Sequence, residues 1–401
     1  MSAIDVDVAI VGGGLIGCMT AFALCKRGRS VVVLERGRVG GESSGVSFGS
    51  LRLQGQHAVE LPLALRAHEI WETIEEELGE SIQFARHGHV HLALNDEHRA
   101  RLESNARHGR AHGMDITLLD REMTLRRWPF LSDKVVAASW STRDAVVNPR
   151  LVAPAFARAA RRLGATIHEG IEVARVEQGG GRFIVHGRMR DGSEPVISSA
   201  ALVNAAGAWS DTLAAQFGET IPLFAAGPAE LVTEPIPPFA APVMHVVDGS
   251  ILFRQTDRGN VIIAGHPRMK VDAETRRARV PPDKILINLA RLVAIVPRMR
   301  AHAVIRSWTG IEGYVEDMMP VLGPSSTTPG LYHACAFSGH GLQMGPAAAV
   351  AIAELIADGA TTMPIAPFDI RRFYATGQQR TLSLAEEFQA DVLPPRDGLV
   401  R

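Results

Sequence analysis

Cysteine, lysine and aromatic side chains are scarce in this chain of 401 residues. The cysteines are Cys18, Cys25 and Cys335, an odd set with no C-x-x-C pair. That excludes a disulfide framework and a cysteine-rich zinc module. Cys18 and Cys25 fall on the apolar face of the first helical pattern, as small buried thiols. A reducing, cytoplasmic setting is expected. The lysines are Lys26, Lys134, Lys270 and Lys284, and the other basic side chains are arginine. Neither sign of charge dominates, and the net charge is −1. This gives no electrostatic case for nucleic acid or for an anionic membrane. No apolar run nears the ~20 residues of a membrane helix, so no integral membrane association is expected. Asp5 and Asp7 precede the first apolar run, which glycines interrupt, so no signal peptide is expected either. Repeats and low-complexity segments are absent. The hydrophobic content of 46% over this length is enough for two domains and a large core.

What is present begins at Val8. Val8 to Val11 reads as a buried strand, followed by Gly12, Gly14 and Gly17 at the spacing G-x-G-x-x-G. A helical pattern follows at once, with Cys18, Ala21, Phe22, Leu24 and Cys25 on one face. The spacing assigns each glycine a task. Gly12 permits the tight turn, Gly14 lets the backbone approach a pyrophosphate, and Gly17 lets helix and strand pack closely. The helix N-terminus then faces the anion. A second apolar run, Ser30 to Leu34, ends in Glu35, placed to accept hydrogen bonds from a ribose, with Arg36 beside it. Strand, glycines, helix, strand and acid together predict a dinucleotide site.

Further along, Asn148-Pro149 opens a helix that runs to Leu163 and stops at Gly164. Strands are expected at Thr166–His168, Val173–Glu177 and Phe183–His186, with a hairpin turn at Gly179-Gly180-Gly181. Ala201 to Ala206 is another strand, entering a tight turn at Gly207. Helices are expected over Leu61–Leu78, Asp96–His112, Pro282–Val296 and Gly345–Ile356. Gly88 to Leu94 alternates, with His89 and His91 facing one way. Short runs at Ala229–Thr233, Ile251–Arg254 and Val261–Gly265 suggest a separate antiparallel sheet.

Five blocks, in order, resemble the FAD-dependent oxidoreductases of the D-amino-acid oxidase type, which include glycine oxidase and sarcosine oxidase. They are the glycine motif with Glu35; Gly41-Glu42-Ser43-Ser44-Gly45; Asn148-Pro149 with Gly164-Ala165 and then Val173; Val203 to Ser210; and the run from Trp308-Thr309-Gly310 through Asp317–Gly323 to Phe337–Leu342. The resemblance implies an α/β fold with a discontinuous Rossmann-like FAD-binding domain and an antiparallel-sheet substrate domain. Residues 1–84, 145–222 and 305–401 would form the first, and 85–144 and 223–304 the second. It implies that FAD meets Gly12, Gly14, Gly17, Glu35, Arg36, Ser43, Ser44, Val173, Ala206, Gly207, Trp209 and Gly310. The loop Gly339, His340, Gly341 and Leu342 would face the pyrimidine edge of the flavin. Backbone amides and a positive helix end there favour the negative charge of the reduced ring.

One departure bears on substrate. Where many of these oxidases carry W-x-G-x-R-P, with an arginine clamping the substrate carboxylate, this chain reads Trp308-Thr309-Gly310-Ile311-Glu312-Gly313-Tyr314. A carboxylate favours a cation instead. Glu312 would face the pocket and meet a cationic substrate group, or a protein arginine such as Arg52, Arg254 or Arg306. The E-G-Y version resembles the flavin subunits of opine and hydroxyproline dehydrogenases, which oxidise secondary amines and often work beside an iron–sulfur electron-transfer subunit. Glu312, Tyr314, His340 and Arg254 are the catalytic candidates.

FAD is expected to be held non-covalently, because no cysteine lies near Glu312–Gly323; His57 is the alternative attachment point. With no lysine clearly beside the flavin, a dehydrogenase is favoured over an oxidase. His87, His89 and His91 alternate, and His108 and His112 stand i, i+4. Either pattern could ligate zinc, but no cysteine or carboxylate set completes a site, so no metal is expected. The expected reaction is oxidation of the C–N bond of an amino acid or secondary amine to an imine, by hydride transfer to flavin N5. A glycine or sarcosine oxidase-type enzyme using oxygen is one alternative. A non-catalytic FAD-binding assembly factor is another. A tRNA-modifying flavoprotein lacks the basic stripe it needs.

Overall fold

Two eight-stranded sheets, each with its own apolar core, organise the molecule. In this computed structural model, residues 4–374, 387–389 and 392 are described. The first sheet is built on Ile4–Val11, which pairs in parallel with Val31–Glu35 on one side and Val196–Asn204 on the other. Thr166–Glu169 extends it at one edge and Leu331–Cys335 on the other side, again in parallel, where Val321–Pro324 pairs antiparallel as the outer strand. The strands Ile171–Gly179 and Arg182–Met189 form a hairpin that joins Val196–Asn204. Helices Leu15–Cys25, Pro149–Arg162 and Gly341–Asp358 pack on one face, around Cys18, Met19, Phe22, Phe156, Met344 and Ile352. Both thiols of the first helix are buried.

Local signals placed most of these elements. Asn148 accepts from the Arg150 amide and caps the Pro149–Arg162 helix, as its sequence requires. Asn95 caps Asp96–Ala111 through the His98 amide. The helix expected over Leu61–Leu78 is two, Leu61–Trp71 and Ile74–Leu78, although the apolar pattern runs through the break. The C-terminal helix starts at Gly341, four residues before the expected Gly345, and carries Pro346 in its second turn. Gly345-Pro346 reads as a helix opening, so the sequence pattern places the start late.

The second sheet has the order Val304–Trp308, Glu230–Pro235, Asn260–Ala264, Leu252–Gln255, Val243–Val246, His89–Ala93, Ala137–Ser141, Ile116–Asp120. Its core holds Val90, Leu92, Trp128, Leu231, Phe253, Ile263 and Leu292, with helix Pro282–Ile295 packed against it. It is antiparallel except at one place. Val243–Val246 runs parallel to His89–Ala93, with His245 opposite His91. Val304–Trp308 crosses the expected domain boundary at 305 and belongs to this sheet. A small third sheet pairs Phe224–Gly227 with Glu312–Tyr314 and Met269–Lys270.

Candidate active site

The tips of the first sheet form a cleft of about 260 Å³. Gly12, Gly14, Glu35, Arg36, Ser43, Ser44, Val173, Ala206, Gly207 and Trp209 all line it. Gly12 takes φ +108°, and a Cβ there would sit 2.3 Å from the Ala205 carbonyl oxygen. A Cβ on Gly17 would sit 1.9 Å from the Gly12 carbonyl oxygen, so the helix crosses the strand too closely for any side chain. Gly14 differs. Its nearest neighbour is the Ser44 hydroxyl, 3.1 Å from a built Cβ, and its open side faces the cleft.

The cleft is already partly organised. Glu35 accepts from the Gly13 amide at 2.7 Å and the Gly37 amide at 2.5 Å. Each carboxylate oxygen keeps a second lone pair for a hydroxyl. The Ser44 hydroxyl accepts from the Leu15 amide. The Arg36 guanidinium lies 4.0 Å from the Trp209 ring centroid, and the Trp209 indole donates to the Ala273 carbonyl. An acid, two serines, a cation on an aromatic wall and a helix N-terminus match the donors and acceptors of a dinucleotide. These residues fit the adenine, ribose and pyrophosphate parts of FAD.

The second part of the site surrounds Gly339. The loop before helix Gly341–Asp358 holds three residues at positive φ: Ala336 at +53°, Ser338 at +50° and Gly339 at +86°. Two of these are not glycine, a conformation that persists only where the surroundings impose it. The Ser338 amide donates to the Gly313 carbonyl, and the Val315 amide donates to the Ser338 hydroxyl. This ties the loop to strand Glu312–Tyr314. Gly339 is exposed, while His340 and Gly341 are half-buried. His340 Nδ1 lies 3.1 Å from the buried Glu60 carboxylate, which braces the loop. Leu342 is buried below it. Gly310 packs on the short Ser43–Val46 helix, and the Ser43 hydroxyl donates to the Ile311 carbonyl.

Tyr314 is fully buried, and its hydroxyl donates to the Glu312 carboxylate. Burial first, then the nearby carboxylates, push its phenol well above the usual range, so it stays protonated. The Arg268 guanidinium lies 5.0 Å from the Tyr314 ring centroid, and its Nη2 is the nearest atom to a Cβ built on Gly339. Arg268 Nη1 pairs with Glu387 at 2.6 Å. Sequence reasoning missed Arg268. It sits beyond a short turn, and its Glu387 partner is 119 positions away.

Of the expected arginine partners, none forms an ion pair with Glu312 among the described residues. Arg254 donates to the Phe48 carbonyl and, with Arg306, lines a separate cleft of about 520 Å³ between Val46 and Trp308. Glu230 feels charges from both places. It is 1% exposed, and burial followed by the Glu312 charge raises its carboxyl well above the usual range. The Arg254 charge acts on it in the opposite sense.

His89 and His91 share one face of their strand, as expected, and the parallel neighbour adds His245. One nitrogen from each ring lies within 4.8 Å of the others. Burial keeps all three neutral, pushing His245 to about 3 and the other two well below the usual range. His87, by contrast, lines the Arg254 cleft.

The comparisons with known proteins agree with this geometry. The DAO family model, FAD dependent oxidoreductase, matches residues 7–355. The chain is 28% identical over 375 residues to glycine oxidase of Geobacillus kaustophilus (strain HTA426), covering 91% of this chain and 97% of that protein. It is 28% identical over 382 residues to one of the opine oxidase subunits of Agrobacterium tumefaciens (strain Ach5), covering 92% and 98%. The crystal structure of L-proline dehydrogenase from P. horikoshii superposes with a TM-score of 0.85 at 26% identity, over 93% of this chain and 99% of that one. Among the described residues no helix is long and apolar enough to cross a membrane. The glycine cradle, the loop at Gly339 and the family match over 7–355 lead to one assignment: the chain belongs to the FAD-dependent oxidoreductase family.

Proposed function

We propose that this protein oxidises the C–N bond of an amino acid or secondary amine of the opine or hydroxyproline type to an imine, and delivers the electrons to a partner protein. The observation that carries this reading is the pairing of one anion and one cation beside the Gly339 loop. Glu312, steadied by Tyr314, offers a carboxylate. Arg268, beside it, offers a guanidinium. A substrate with an amine and a carboxylate matches both: the carboxylate on Arg268, the cationic group toward Glu312.

FAD would lie non-covalently in the cleft from Gly12 to Trp209, with its ring end toward Gly310 and Gly339–Leu342. When bound, it supplies a two-electron acceptor for the hydride from the substrate carbon. The chain does the rest. Glu312 and Arg268 orient the reacting carbon, and the buried Tyr314 with the half-buried Phe224 stacked on it keeps water away. Residues 1–84, 145–222 and the part of 305–401 beyond Trp308 would hold FAD. The second sheet, with Val304–Trp308, would cover the substrate. The opine oxidase relative is one subunit of a multi-subunit enzyme by its name, which supports an electron-transfer partner here.

The test is anaerobic flavin bleaching over a panel of simple amino acids, cyclic secondary amines and opines. Fast bleaching by the last two groups, with turnover on an artificial dye far exceeding peroxide formation, is the expected result. Matched peroxide and dye rates would favour a glycine oxidase-type enzyme. No bleaching by any member would favour a non-catalytic flavoprotein.

A further inference from the structure

We propose that His89, His91 and His245 form a binding site for one divalent transition-metal ion, of the zinc class, on the second sheet. The argument begins with strand geometry. Side chains at i and i+2 point to the same face, so the H-x-H spacing of His89 and His91 aims both rings one way. The parallel register sets His245 directly opposite His91, on that same face. On the other side, the antiparallel neighbour sets Ser141 opposite His89 and Ser139 opposite His91, small residues that leave the rings room.

The distances suit coordination. His91 Nε2 and His245 Nδ1 are 3.2 Å apart. Two imidazole nitrogens each ~2.05 Å from a tetrahedral zinc ion stand ~3.3 Å from one another. The His89 ring centroid is 5.1 Å from that of His91 and 5.8 Å from that of His245, so it closes on the pair by a side-chain adjustment. The donors also call for a cation. His91 Nε2 and His245 Nδ1 already face each other at hydrogen-bond distance, and His89 Nδ1 is buried with no partner among the described residues. Buried nitrogens of that kind are costly when unpaired.

The composition of the site points to the class of ion. Three imidazoles, with neither thiolate nor carboxylate, suit zinc, copper, nickel or iron rather than calcium or magnesium. Three protein ligands leave a fourth position for water or an external oxygen ligand. The half-buried Arg52, whose charge reaches all three rings, favours an anion at that position. The half-buried His245 and the exposed Gly55, whose Cβ position lies 2.9 Å from His91 Cε1, mark the way in. His98, on the following helix, is engaged with Asp248 and stands outside the set.

The test uses the FAD-loaded protein, stripped with a chelator, loaded with ZnCl₂ and desalted. About one zinc per chain is expected by elemental analysis. A Co²⁺-loaded sample should show the intense visible bands of a four-coordinate ion. His91→Ala and His245→Gln should each weaken zinc binding by more than about tenfold. The double variant His108→Ala/His112→Ala, which removes the helical pair, should bind as the parent does. Flavin absorbance and far-UV circular dichroism confirm that each variant is folded. If the variants fail to fold, the Co²⁺ spectrum of the parent still decides. Zinc well below stoichiometric in the parent, a six-coordinate Co²⁺ spectrum, or zinc retained by both single variants would each overturn the proposal.

Discussion

The phenol of Tyr314 donates to the carboxylate of Glu312, two residues away along one three-residue strand. In a strand these two side chains share a face. The hydrogen bond therefore fixes Glu312 in the direction of the Gly339 loop and gives a half-buried carboxylate one partner. Arg268 lies over the Tyr314 ring, and the Glu312 charge adds to burial in raising the carboxyl of Glu230. We propose that a carboxylate so placed is a recognition group; it is the feature that separates this chain from the arginine-bearing pattern.

Glu312→Gln keeps the shape and removes the charge. The apparent affinity for the true substrate should fall by roughly tenfold or more, the scale of one charge-assisted hydrogen bond, with FAD content unchanged. Tyr314→Phe should move the same parameter in the same direction by a smaller factor, since the carboxylate survives but loses its orienting donor. Steady-state kinetics with flavin spectra on both variants check this. Unchanged kinetics in Glu312→Gln would remove the carboxylate from substrate recognition.

Gly14 and Gly17 separate cofactor binding from folding. In Gly17→Ala the new methyl meets a backbone oxygen at 1.9 Å, and neither helix nor strand has a way to yield. Soluble, folded protein should be lost. In Gly14→Ala the methyl meets only the Ser44 hydroxyl, at 3.1 Å, with Gly14 at an ordinary φ of −71°. That variant should fold, with a melting temperature within a few degrees of the parent. Its methyl occupies the cleft, so FAD affinity should drop by at least about tenfold. Thermal melts, paired with flavin retention on desalting, read both effects.

Much of this site was readable one segment at a time. The glycine spacing, Glu35 and the Asn148 cap are local signals: Gly12, Gly14 and Glu35 line one cleft, and Asn148 caps its helix. The loop at Gly339 was readable by resemblance, though its helix begins four residues early because Pro346 looks like an opener. What stayed hidden was pairing between distant segments. His245 is 154 positions from His91, and only the single parallel pairing in an otherwise antiparallel sheet brings them together. Arg268 and Glu230 carry no motif. Their roles come from burial beside Glu312, which no periodicity encodes.

Lys284 offers a test of the second core. It sits in helix Pro282–Ile295, is 1% exposed, and its Nζ has no hydrogen-bond partner among the described residues. Burial first, then the Arg291 charge, lowers its ammonium from 10.5 to about 8. The unfolded chain therefore binds a proton more tightly than the folded one. Stability should rise as pH climbs from about 8 to 10.5, and the full cost should apply below that window. A shift of this size corresponds to about 3 kcal/mol at neutral pH. Lys284→Met fills the same space without the charge. It should raise the melting temperature by several degrees at pH 7 and flatten the climb between pH 8 and 10.5. Melts across that range compare the two proteins. A variant that melts below the parent at pH 7, or that keeps the same pH slope, would show that Lys284 is partnered in the folded protein.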